Sequence, residues 1–141
     1  MTHFIDPEDY DASVRREIIE ALTRGDDSIL DICEDRAIEE MKSYLSARYD
    51  VEDIFDARGG DRHPLVLMMC LDIAAYHLYC AGNPQKMQNG IRKDRYERAV
   101  EWLKGVQRGN ISVNGIPLLG KEERERDFLW MGRSEERRVG K

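Results

Sequence analysis

Of the seventeen residues from Leu65 to Ala81, all but Asp72 and His77 are apolar or aromatic. That composition leaves no wide polar face to turn to water, so the segment reads as a helix with neighbours on most sides. Pro64 suits the first helical position, and Gly82-Asn83-Pro84 breaks the pattern at the other end. The run falls short of the roughly 20 uninterrupted apolar residues of a membrane span. It is therefore expected to be the central helix of a domain whose other elements cover it.

The remaining sequence supplies the covering helices. Asp6 and Pro7 have the form of a helix start, with Asp6 able to cap free amides. From Val14 to Arg24 the apolar residues Val14, Ile18, Ile19 and Leu22 recur at helical spacing, and Gly25 follows as a stop. Asp26-Asp27-Ser28 caps a second run, in which Ile29, Ile32, Cys33, Ala37, Met41, Tyr44, Leu45 and Tyr49 keep the three-and-four spacing over about six turns. After the central helix, Ile91, Tyr96, Ala99, Val100, Leu103 and Val106 mark a fourth helix. The stretch from Asp50 to His63 loses this periodicity and contains Gly59-Gly60, so an exposed loop is expected there, with Ile54 and Phe55 turned inward.

Beyond Gly109 the period changes to two, with Ile111 and Val113 separated by Ser112 and a hairpin-type turn at Asn114-Gly115 before Ile116. The expected fold class is thus mainly α: a four-helix bundle-like domain over residues 1–120, with a small β-hairpin or extended arm at about 109–117. A charged C-terminal tail follows at 121–141. At 141 residues the chain is the size of one domain.

Charge and chemistry narrow the function. The tail holds seven basic and six acidic side chains, so of the net −6 the first 120 residues carry −7. Such a surface argues against coating nucleic acid by phosphate neutralisation. The first residues lack the basic and apolar regions of a signal peptide, making the cytoplasm the default compartment. Cys33, Cys70 and Cys80 are widely spaced within apolar patterns and read as reduced core thiols. His3, His63 and His77 fall in separate segments without metal-ligand spacing. Asp72 and His77 are five residues apart and point in different directions from one helix, so each is expected to hydrogen-bond a neighbouring helix. Glu34-Asp35, Glu39-Glu40 and Glu122-Glu123 read as solvated outer faces, and Arg92-Lys93-Asp94-Arg95 as a partner contact or plain solvated surface. No catalytic, cofactor-binding or metal-binding residue emerges.

Two features point to binding. Ile111, Val113 and Ile116 in the arm, and Phe128, Leu129, Trp130 and Met131 in the tail, place apolar or strand-edge surface outside the helical core. They are the candidate partner-binding residues.

Certain residues carry a family likeness. Ala37-Ile38 precedes Ser43-Tyr44-Leu45-Ser46-Ala47-Arg48-Tyr49, followed by Leu71-Asp72-Ile73-Ala74-Ala75-Tyr76-His77-Leu78 and by Arg95-Tyr96-Glu97-Arg98-Ala99-Val100-Glu101-Trp102-Leu103 with the Gly109 turn. The pattern resembles the head-to-tail connector, or adaptor, proteins of tailed bacteriophages, including those of Mu-like prophages, over roughly Asp6 to Pro117. It departs from them after Tyr49, where Asp50-Val51-Glu52 stands in place of a proline-containing turn. The resemblance implies a virion protein, assembled in the host cytoplasm, that forms a homo-oligomeric ring of twelve copies between the portal protein and the tail or head-completion proteins. DNA would pass through the ring without specific binding, with no cofactor and no membrane involved.

The alternative is a small helical DNA-binding or regulatory protein, which would need a basic recognition helix. An enzyme such as a nuclease accessory would need carboxylates converging from separate helices, with Asp72 among them.

Overall fold

A computed structural model describes residues 4–82 and 90–118. It is mainly helical, with α1 at Arg16–Thr23, α2 at Asp27–Leu45, α3 at Val51–Asp56, α4 at Pro64–Gly82 and α5 at Ile91–Arg108. Two 3-10 turns, Pro7–Ala12 and Gly59–Asp61, complete the elements.

α4 is the central helix, packed by α1, α2 and α5. Its Val66, Cys70, Ile73 and Ala74 are fully buried with residues such as Met41 and Leu45 of α2 and Leu103 and Val106 of α5, and Leu78 is buried with Leu22 of α1 and Cys33 of α2. Each large side chain so buried contributes about 1.5–3 kcal/mol relative to exposure. By length and composition α4 matches a membrane span, more than its sequence interruptions suggest. In this fold the neighbouring helices cover half of it instead.

Local chemistry sets the helix ends. The Asp26 carboxylate accepts the Ser28 amide and caps α2. α1 closes on Arg24 in the left-handed conformation (φ 55°) followed by Gly25. At the start of the chain Asp6 and Asp9 form a reciprocal capping box, in which the Asp6 N–H donates to the Asp9 carboxylate at 2.7 Å.

Four sequence expectations change. α1 begins at Arg16, leaving Val14 buried ahead of the helix. α2 stops at Leu45, short of Tyr49. The 50–63 loop is folded: Asp50 caps α3 by accepting the Asp53 amide at 3.2 Å, and α3 turns Ile54 and Phe55 into the core as anticipated. Six residues give too little length for an apolar period to be visible. No hairpin forms among the described residues, so the 109–117 segment takes the extended-arm alternative. Its one ladder contact is an antiparallel bridge between Tyr49 and Leu118, because Val113 and Ile116 turn inward to bury themselves rather than pair across a strand.

Candidate functional site

Polar side chains and a chain extension lock the helices and shape the outer surface at three places. The first is the seat of the arm. Gly109 ends α5 with φ +86°, and a Cβ there would lie 2.5 Å from the Arg48 guanidinium. The chain then folds back so that Ile111 lies over Gly105, where the missing side chain makes room. Further along, the Tyr49 hydroxyl accepts the Val113 amide at 3.1 Å, and Asp50 N–H donates to the Pro117 carbonyl at 2.9 Å.

His63 ties the arm to α4. Its Nδ1 accepts the Leu65 amide at 3.2 Å, so the ring caps the helix, while Nε2–H donates to the Asn114 carbonyl at 2.8 Å. The two partners together define the neutral tautomer protonated at Nε2.

A second site is a polar seam through the three long helices. Glu40 of α2 accepts from His77 Nε2 of α4 at 3.2 Å and from the Tyr96 hydroxyl of α5 at 2.7 Å. Tyr96 stacks on Tyr76 at 4.1 Å, and burial together with the Glu40 carboxylate pushes its hydroxyl pKa well up. One turn away Arg98 reaches the buried Asp72 at 3.2 Å. Burial nevertheless leaves the Asp72 carboxyl raised above its ordinary value, outweighing the hydrogen bond and charge of Arg98. Asp72 and His77 thus each bond a neighbouring helix, as read from the sequence.

The third site is the N-terminal clasp. Arg62 bonds the Phe4 carbonyl at 2.8 Å and both carboxylate oxygens of Asp9. Burial raises the Asp9 carboxyl, but the Arg62 hydrogen bond, the Asp6 N–H and the Arg62 charge together outweigh it and the net shift is downward. The segment so held sets Tyr10 on Glu34, whose carboxylate accepts the phenol at 2.7 Å. Glu34 is not on an outer face: it is only 6% exposed, and burial lifts its pKa to about 7 despite the Tyr10 bond. Two open grooves, of about 490 and 390 Å³, flank this point and share Ile5 and Glu34 in their walls.

The arrangement is one of locks. Tyrosine-to-carboxylate and arginine-to-carboxylate pairs orient helices, and among the described residues no group of three His, Cys, Asp or Glu converges on a common point. Cys33 and Cys70 are buried and Cys80 is half-buried, all with free thiols. Arg92 turns inward to the Ser13 carbonyl and lies over the Tyr79 ring, so this part of the basic run makes an internal contact. Of the candidate binding residues, Val113 and Ile116 are buried in the chain's own core and Ile111 is 36% exposed. Phe128, Leu129, Trp130 and Met131 lie outside the described residues, as does His3.

Glu34, Glu40 and Arg62 are important residues that the sequence reading misses, Glu40 being drawn from the expected outer face into the seam by His77 and Tyr96. Glu34 had a signal, since it stands three residues before Ala37 and seven before Met41 on the apolar stripe of α2. Arg62 had none, because its partners Phe4 and Asp9 are more than fifty residues away.

Fold and sites together define a small helical protein built around internal locks with an arm folded back on its body. The family described as bacteriophage Mu Gp36 matches the chain over residues 5–127, and the chain belongs to that family of phage proteins. No curated protein and no solved structure matches it.

Proposed function

We propose that the chain is a structural head-to-tail adaptor of a tailed phage particle. Twelve copies form a ring beneath the portal, bind portal protein on one side and tail or head-completion proteins on the other, and leave a channel for DNA. The subunit acts without catalysis, and its place is the virion after assembly in the host cytoplasm. The observation that carries this reading is the phage-family match over residues 5–127, which spans the same helical body and arm that resemble connector proteins.

The geometry supports a building block. Arg62, Glu40 and Tyr49 fix the outer elements to one core, as a subunit bearing load between neighbours requires. In the arm, Val113 and Ile116 serve as anchors and Ile111 remains at the surface. The contacts assigned to partners are therefore Ile111 and the 128–131 cluster. A channel wall drawn from a body carrying −7 repels DNA and lets it slide.

The test is mass in solution, measured alone and with portal protein. Assembly into a ring in either condition supports the adaptor. A monomer that binds no portal rejects it, and tight salt-sensitive DNA binding would favour the regulatory alternative.

A further inference from the structure

Two helices of the body each carry an exposed isoleucine and are opposite in net charge. On α2, Ile32, Asp35 and Glu39 fall at i, i+3 and i+7 and so line one side of the helix. Ile32 is 49% exposed, a large apolar side chain on an otherwise polar surface. On α5, Ile91, Arg95 and Arg98 fall at i, i+4 and i+7. Ile91 is 61% exposed, and the Arg98 side chain remains 58% exposed while bonded to Asp72.

The charge difference extends along both helices. α2 carries six carboxylates and two basic residues, whereas α5 carries six basic residues and three carboxylates. Neither Asp35 nor Arg95 makes an ion pair with another described residue. Both helices also carry minority charges, Arg36 next to Asp35 and Asp94 next to Arg95, and Glu39 has Lys42 of its own helix at 3.8 Å. An exposed aliphatic side chain bordered by charges has the anatomy of a contact whose apolar centre is ringed by polar groups.

We propose that the Ile32, Asp35 and Glu39 face of one copy docks on the Ile91, Arg95 and Arg98 face of the next. The two faces differ, so the contact is head-to-tail and propagates until a ring closes. The proposal rests on the ring reading above and names the contact that would build it.

Charge exchange in the full-length chain tests it. Asp35→Arg with Glu39→Arg makes both faces basic, and Ile91→Glu with Arg95→Glu makes both acidic. Each double variant alone is expected to weaken self-association by about tenfold or more in sedimentation velocity. An equimolar mixture is expected to restore wild-type assembly by alternating the two variants. Circular dichroism serves as the folding control, and Arg98 is left intact because Asp72 depends on it.

If wild type assembles and the variants assemble equally well, the contact is wrong and the ring stands. If the exchanges abolish only portal binding, the faces belong to another partner and the proposal falls. Wild type that stays monomeric both alone and with portal overturns the ring and the contact together.

Discussion

Glu34 shows how one buried carboxyl ties stability to pH. Burial raises its pKa to about 7 from an ordinary 4.5. Between those values the folded chain holds a proton that the unfolded chain has released, so stability falls as pH rises through this window and levels off above it. Glu34→Gln keeps an acceptor for Tyr10 and removes the titration. Urea melts of the variant are expected to lose the decline between about pH 4.5 and 7 and to show about 1–2 kcal/mol more stability than wild type at pH 8. Arg62→Ala acts in the opposite direction, because it strands the Asp9 carboxylate and the Phe4 carbonyl. It is expected to cost about 2–3 kcal/mol at neutral pH in the same assay. The first residue lay on a readable apolar stripe, whereas the second depends on a contact that no local pattern encodes.

Among the elements, α4 and α5 were legible because each keeps its pattern over four or more turns between clear breakers, from Pro64 to Gly82 and from Ile91 to Gly109. α3 was not, since its six residues bury only Ile54 and Phe55 and its strongest local signal is a single cap. The alternation in the arm predicts a strand pair, but Asn114-Gly115 turns a chain held by His63 and Tyr49 instead. His63→Ala removes both the α4 cap and the bond to Asn114. The expected result is a loss of about 1–2 kcal/mol, with amide exchange accelerated at Val113 and Ile116 and unchanged at the centre of α4. Gly109→Ala should also destabilise, by more than about 1 kcal/mol, because the left-handed turn and the Arg48 contact both resist a side chain.

For the molecule as a whole, the helical class and the central position of α4 followed from composition and period, while the polar seam required three helices to be in place before Glu40, His77 and Tyr96 could meet. The proposed adaptor function predicts a division of labour between this body and the tail. Trp130→Ala is expected to leave the melting temperature within a few degrees of wild type while weakening portal or tail-protein binding by about 2 kcal/mol or more, measured by calorimetry. The seat of the arm also sets a mechanical path. A pull on the chain beyond Leu118 meets the Asp50-to-Pro117 hydrogen bond and the Tyr49 bridge before it reaches the end of α5. Tension on the chain is thereby delivered to the corner between α2 and α3, and these fastenings must slip before α5 can begin to unwind from its C-terminal end.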